Sequence, residues 1–490
     1  MNIFPPHATD FYKTGHIAQY PSKTEQVYSN FTCRSDKWAQ MLPDFDHKVV
    51  FFGLQGICQW LLIDLWNEQF FNKPKEEVVA RYQRRMDASL GAGAVKTEHI
   101  AALHDLGYLP IKIKALREGS RVDTRVPLWT ITNTLPEFYW VTNYLETQLA
   151  AESMKMINSA TMAHEYRRLF KKFAEETGGG SLLDFQGHDF SMRGMSGVWD
   201  ATQSGAAHLL SFKGTDTISA IDYLEDYYFG RESDFIGGSV PATEHSVMCM
   251  GGQLDELNTF HRLIAETYPT GVVSIVSDSW DFWKVITQYA KTLQDIILER
   301  DGKVVFRPDS GDPVKIIVGD PEAALGSPAF KGAVECLWEV FGGTYTSKGF
   351  KTLDGHVGLI YGDSITLDRA QKILQGLKDK GFSSDNIVFG IGSYTYQYVT
   401  RDTFGMAIKA TFGRVNGEDR ELSKDPITDS GVKKSACGLV RVEFEDGHFK
   451  LYDHQTREEE KHGLLKTVFE NGELVRACSL DEIRERLEKS

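Results

Sequence analysis

Val272-Val273-Ser274-Ile275-Val276 runs into Ser277-Asp278-Ser279. Val304-Val305-Phe306 runs into Arg307-Pro308-Asp309-Ser310-Gly311. Val357-Gly358-Leu359-Ile360-Tyr361 runs into Gly362-Asp363-Ser364, and Ile387-Val388-Phe389 into Gly390-Ile391-Gly392-Ser393. Short runs rich in β-branched residues that end in polar or Gly-rich turns read as strands. Helical stretches follow, over residues 280–299 and 367–380, and an earlier run, Leu182–Phe190, leads to a helix near Gly205–Leu210. Strand alternating with helix predicts a parallel sheet with helical crossovers, hence the α/β class. Every polar cluster falls at the C-terminal end of its strand, where a β/α barrel or an open α/β sheet places its site. The succession of such units favours an irregular, TIM-like β/α barrel over residues 151–404.

Outside that region the rhythm differs. Pro74 opens a helix with Glu76 and Glu77 in its first turn, and Gly107 ends the next one. Pro110–Leu116 alternates apolar with charged residues, as a strand with one wet face does, and Val126–Thr132 reads as another strand. Ser159 is expected to cap a helix running to Gly178-Gly179-Gly180. Beyond Phe404 the chain is rich in strand and turn signals and ends in a helix from Leu480. Residues 1–150 with 405–490 are therefore expected to form a flanking α+β domain.

The 490 residues suggest two or three domains with ample core, and 41% hydrophobic with 25% charged residues is an ordinary globular balance. The net charge of -14 argues against a nucleic-acid coat but leaves room for a local anion pocket. Val49–Phe71 is broken by Gly53, Gln55, Gln59, Asp64 and Glu68, so it reads as a buried helix and not a membrane span. The N-terminus lacks a basic and an apolar leader region, so a cytoplasmic location is expected. The 6 cysteines form no CxxC pair and are expected as buried free thiols. The 14 histidines include no HExxH, and neither GxxxxGK[ST] nor GxSxG occurs, so no protein-held metal site is expected.

The strand-end clusters carry the chemistry. Gly390–Ser393 offers a turn whose backbone N–H groups can cradle a phosphate, with Arg401 and Lys409 downstream; a simple Gly-containing turn is the alternative. Arg307 and Asp309 share one rim, where Asp309 can accept from sugar hydroxyls and Arg307 can pair with an anion. An Arg–Asp pair internal to the turn is the structural alternative. Gly362-Asp363-Ser364 repeats the arrangement, and two strand-end aspartates beside a phosphate loop suggest a ribose phosphate. Phe190, followed by Arg193, can wall a slot for a flat ring. A buried Asp216 would accept from a substrate amide and repel a carboxylate. Glu244-His245 sets a carboxylate beside an imidazole able to act as base or nucleophile. Asp10-Phe11-Tyr12-Lys13 and Thr32-Cys33-Arg34 carry no signal of their own.

Taken together, Ala8–Lys13, His188-Asp189-Phe190 with Arg193-Gly194, Phe212–Thr217, Val240–Ser246, Ser277–Ser279 and Arg307–Gly311 resemble the nicotinamide phosphoribosyltransferase family, collinearly over nearly the whole chain. The resemblance implies transfer of phosphoribosyl from phosphoribosyl pyrophosphate to nicotinamide, within a homodimer whose two sites are shared. It implies no nucleic-acid or membrane partner. Phe190 and a Tyr12 of the other subunit, near Asp10, would sandwich the pyridine. Asp216 would bind the carboxamide, with Arg307 close by, and Asp309 and Asp363 would hold the ribose. Arg193, Gly362, Gly392, Ser393, Arg401 and Lys409 would line the phosphates, joined by Arg34, Lys424 and Lys433 from the neighbour. His245 would be phosphorylated by ATP, near Glu244 and Asp278, and Mg2+ would ride on pyrophosphate oxygens. The chain departs from the family pattern at Ser393 and Tyr394, where further glycines are expected, at Ala407, where a serine is expected, and by a one-residue insertion near Lys433. A nicotinate-using enzyme, a non-catalytic protein of the same fold and a sugar-phosphate aldolase or isomerase are the rival readings. Asp216 opposes the first. The intact His245, Arg307 and Asp309 oppose the second, and the lack of a catalytic barrel lysine or paired carboxylate base opposes the third.

Overall fold

The computed structural model describes residues 3–229, 235–362, 364–423 and 436–490. Its 6-stranded sheet runs in the order Gly214–Thr215, Gly187–Asp189, Val388–Ile391, Val357–Tyr361, Gly302–Arg307 and Gly271–Val276. All five neighbour pairs are parallel. The sheet curls: Gly238 bridges to Gly214 at one edge, and Ala242 to Ser274 at the other. Thr243 stitches the second contact, its amide donating to Ser274 O at 3.0 Å and its hydroxyl accepting from Val276 N at 2.9 Å.

The strands read as continuous apolar runs because helices cover the sheet. Val273, Ile275, Val304, Phe389 and Ile391 are all fully buried. The helix Leu367–Asp379 buries Leu367, Ala370, Ile373, Leu374 and Leu377, a spacing that fills one face. Each buried leucine there contributes about 2 kcal/mol. Thr366 caps that helix through its hydroxyl, which accepts from Arg369 N at 3.2 Å.

The second large sheet is antiparallel and 7-stranded, and it takes strands from both ends of the chain. Thr24–Cys33 lies between Met406–Val415 and Pro127–Asn133, with Asn30 opposite Lys409 and Cys33 opposite Met406. Phe31 stacks on Trp129 with ring centroids 5.1 Å apart, both fully buried.

Four local expectations are corrected. Ser159 caps nothing: it is buried inside one helix, Glu146–Thr177, of 32 residues. No Gly or Pro occurs between Pro136 and Gly178, so nothing in the chain stops that helix earlier. It packs against Met406–Val415 of one sheet and the Leu367–Asp379 cover of the other, so it spans the 150/151 boundary. Gly390 and Ile391 belong to their strand, not to the turn after it. The Val49–Phe71 run begins as a strand, Lys48–Val50, before its helical part. Among the cysteines, Cys249 is exposed and Cys437 and Cys478 are half-buried, so only Cys33, Cys58 and Cys336 are the expected buried thiols.

Candidate active site

The parallel strands converge their C-terminal residues on one rim. Asp278 is the hub. Its Oδ2 accepts from the amides of Asp309 at 2.9 Å and Ser310 at 2.8 Å, and its Oδ1 lies 3.1 Å from His245 Nε2. Burial alone would raise this carboxyl, but those bonds, with Ser310 and His245, hold it net below its ordinary value. One carboxylate thus fixes the turn of the next strand and orients an imidazole that is itself half-exposed. Glu244 precedes His245 at the helix start and accepts from the Ser246 hydroxyl. Arg307 ends its strand, donates from Nη2 to Thr243 O at 2.6 Å and places Nε 3.5 Å from Asp309 Oδ1. Gly362 makes room for that carboxylate, since a Cβ there would lie 2.2 Å from Asp309 Oδ1.

Three strands from that of Arg307, His188 Nε2 lies 2.8 Å from Asp216 Oδ1, and Ser239 Oγ donates to the same oxygen at 2.6 Å. Asp216 is half-exposed and not buried as expected. Desolvation pushes its carboxyl up, but His188, Ser239 and the Arg307 charge bring it net below the ordinary range. Both donors use Oδ1, which leaves Oδ2 for a third. Phe190 lies beside His188, ring centroids 4.5 Å apart, and against Gly390, where a Cβ would meet Phe190 Cδ2 at 2.7 Å. A half-buried aromatic face and an anchored carboxylate thus stand side by side at the ends of adjacent strands.

The expected phosphate residues divide into two groups. Arg193 is exposed in the turn Met192–Gly194, which abuts Ser393: a Cβ on Gly194 would fall 2.0 Å from Ser393 Oγ. Gly392 precedes the short helix Ser393–Gln397, and Tyr394 is exposed and packs on Tyr398. The second group lies on the antiparallel sheet. Arg34 Nε donates to Gly405 O at 3.0 Å, and Lys409 stands opposite Asn30 on the neighbouring strand. Burial first, then the Arg401 charge, lowers Arg34; Lys409 is lowered by burial and by Arg34, Lys13 and Arg401, against the pull of Glu146. Arg34, Arg401 and Lys409 therefore form one cluster within a single chain. Ala407 lines the same recess as Arg34 and Lys409. Tyr12 is exposed beside His16, on a short helix pinned by Asp10 to the Thr147 hydroxyl at 2.7 Å and by Lys13 to Glu146. Asp363, Lys424 and Lys433 lie outside the described residues.

The model of the nicotinate phosphoribosyltransferase family matches residues 185–473, and that of the nicotinamide phosphoribosyltransferase N-terminal domain matches residues 6–113. A nicotinamide phosphoribosyltransferase of Acinetobacter baylyi is 61% identical, over 99% of this chain and 97% of that protein. The chain belongs to the nicotinamide phosphoribosyltransferase family. A family member from Xanthomonas campestris is 31% identical over 97% of this chain and 96% of its own length. Among solved structures, human nicotinic acid phosphoribosyltransferase superposes with a TM-score of 0.58 at 14% identity, covering 98% of this chain and 93% of that one. Nicotinate-nucleotide pyrophosphorylase of Pyrococcus furiosus gives 0.55 at 16%, covering 99% and 95%. At those identities the likeness is one of fold.

Three partners in this family member's site escaped the sequence: His188 and Ser239 on Asp216, and the Thr243 carbonyl on Arg307. His188 sits inside a quoted motif, so its adjacency to a strand-end aspartate was a signal to be had. Ser239 and Thr243 belong to the edge segment, whose bonds to both sides of the curled sheet no local pattern announces.

Proposed function

We propose that the chain transfers phosphoribosyl from phosphoribosyl pyrophosphate to nicotinamide, giving nicotinamide mononucleotide and pyrophosphate in NAD salvage. The observation that carries it is Asp216, anchored on Oδ1 by His188 and Ser239 and set beside Phe190. An ionised carboxylate can only accept, so its free Oδ2 suits a carboxamide N–H and repels a nicotinate carboxylate. Phe190, with Tyr12 of a second subunit, holds the ring. Asp309 and Asp363 hold the ribose hydroxyls, and Arg193, Gly362, Gly392 and Ser393 take the phosphate side.

Departure of pyrophosphate builds oxocarbenium character on the anomeric carbon, as in glycoside cleavage. The chain's part is to hold the ring nitrogen in line and to set guanidinium and backbone N–H donors where negative charge grows. No side-chain nucleophile on the sugar is required. Mg2+ fits as an ion carried by substrate oxygens. Asp309 is a single carboxylate beside a guanidinium, and the only three-ligand group among the described residues is Glu421, Cys437 and His454, away from this rim. When bound, the ion neutralises charge on the leaving pyrophosphate. His245 is the acceptor for a phosphoryl group from ATP: a proton on Nε2, held by Asp278, leaves the Nδ1 lone pair for the attack.

We read the curled sheet, closed by residues 238–243, as an irregular β/α barrel within 151–404, with 1–150 and 405–490 as a flanking domain that completes the neighbour's site in a homodimer. Because Arg34, Arg401 and Lys409 share one cluster, all three belong on the same side of that shared site, together with Lys424 and Lys433.

The test is formation of mononucleotide from phosphoribosyl pyrophosphate and Mg2+ with nicotinamide or nicotinic acid, each with and without ATP. Nicotinamide is expected to be strongly preferred and ATP to stimulate, and His245→Ala to keep the basal rate while losing the stimulation. Product from nicotinic acid alone would refute the substrate assignment. ATP stimulation persisting in His245→Ala would refute the phosphohistidine.

A further inference from the structure

A cavity of about 130 Å³ lies away from the strand-end rim, between the Leu116–Glu118 turn and the segment that enters the C-terminal helix. Three guanidinium groups line it: Arg117, Arg476 and Arg486. Arg476 Nη1 is buried there without a hydrogen-bond partner among the described residues. A buried donor left unmet is costly, so its retention points to a missing acceptor. Arg486 donates to the Glu118 carbonyl, while Arg117 is exposed at the mouth.

The two carboxylates in the wall are already committed. Glu118 accepts from Gly53 N at 3.0 Å, Gln55 N at 2.6 Å and the Tyr228 hydroxyl at 2.9 Å. Glu482 accepts from Ser479 N at 3.0 Å, closing the capping box of the helix Leu480–Glu488. Three cations thus face two carboxylates whose oxygens are turned to other donors. A second cavity of about 240 Å³ adjoins the first, sharing Leu116, Arg117 and Arg476 with it. It adds Lys466 and an aromatic wall of Phe444 and Phe449, whose rings meet edge to face at 5.0 Å.

We propose that these adjoining cavities form a second, non-catalytic ligand site for a nucleoside monophosphate, its phosphate on Arg476, Arg117 and Arg486 and its base against Phe444 and Phe449. Guanidinium forks match phosphate oxygens two at a time, which makes three of them around one small cavity a phosphate-selective arrangement. Aromatic faces bind any nucleobase by stacking, with little discrimination among bases. None of the strand-end residues lines either cavity.

The test is calorimetric titration of the full chain with AMP, orthophosphate or adenosine, for wild type, Arg476→Gln, Arg117→Gln and Arg193→Gln. AMP is expected to bind the wild type more tightly than orthophosphate, and adenosine only weakly. Arg476→Gln and Arg117→Gln should each weaken AMP at least tenfold, with an unchanged melting temperature for the exposed Arg117 variant and unchanged mononucleotide formation. Arg193→Gln, on the strand-end rim, should leave this binding intact. Undiminished AMP affinity in both the Arg476 and Arg117 variants overturns the site, as does loss of binding in Arg193→Gln. AMP binding no tighter than orthophosphate overturns the nucleotide assignment.

Discussion

In the function proposed, Asp216 would set the choice between amide and acid through charge, and its neighbours secure that charge. His188 and Ser239 hold the carboxyl net below its ordinary range against the burial that would raise it. It therefore stays an acceptor throughout neutral pH, and the amide preference should be flat there, fading only below the ordinary carboxylate value near 4. Asp216→Asn replaces an anion with a group that both donates and accepts, so the ratio of kcat/KM for nicotinamide over nicotinic acid should fall by roughly 10–100-fold, or about 1–3 kcal/mol. Steady-state kinetics with both substrates checks it, and an unchanged ratio removes Asp216 from substrate selection. The aspartate was legible in the sequence because it closes a strand-end cluster, whereas Ser239 was not. Its bond to Asp216 exists only because residues 238–243 lie along the edge of a curled sheet, a relation between segments that local spacing does not encode.

The Arg307–Gly311 turn leans on one side chain. Asp278, from the preceding strand end, accepts two of its amides and steadies His245 as well. Replacing it with Ala strands both N–H donors and should cost about 1–3 kcal/mol of stability, read as a lowered denaturation midpoint. The pH dependence has a definite sign. The folded carboxyl sits below its unfolded value, so it binds its proton later on acidification than the unfolded chain does. Its stabilisation is therefore full at neutral pH and is lost as pH falls from about 4 through the depressed folded value. The wild-type midpoint should decline over that window more steeply than that of Asp278→Ala, and parallel curves would show that the carboxylate is not what holds the turn. The strand before the next turn, Val357–Tyr361, was read from sequence with both ends correct, because its mostly apolar run gives way to the polar Gly362-Asp363-Ser364 cluster. The start of the long helix was misplaced because Ser159 looks like a cap, whereas it lies buried well inside an element that starts at Glu146.

At the scale of the molecule, a net charge of -14 coexists with a cationic cluster that draws Arg34 from the N-terminal part and Arg401 and Lys409 from the C-terminal part. Strand pairing across nearly the whole chain length, Thr24–Cys33 with Met406–Val415, makes that convergence. Local patterning cannot choose such distant partners, which is why the residues alone left Arg34 without a reading and the family resemblance set it in a different subunit from Arg401 and Lys409. The pairing turns the shared-site proposal into a question of which residues travel together. Asp309 and Arg193 lie on the parallel-sheet rim, and Arg401 lies with Arg34. If sites are completed across a twofold axis, inactive Asp309→Asn and inactive Arg401→Gln chains, unfolded together and refolded as a mixture, will form mixed dimers with one intact site each. Activity should return to about a quarter of wild type, since half the dimers are mixed and each carries one working site of two. Asp309→Asn mixed with Arg193→Gln should recover nothing if both residues come from one subunit, because their mixed dimers contain only singly damaged sites. Recovery in the second mixture and not in the first would place Arg401 with Asp309 in one subunit and Arg193 across the interface, the reverse of the arrangement proposed.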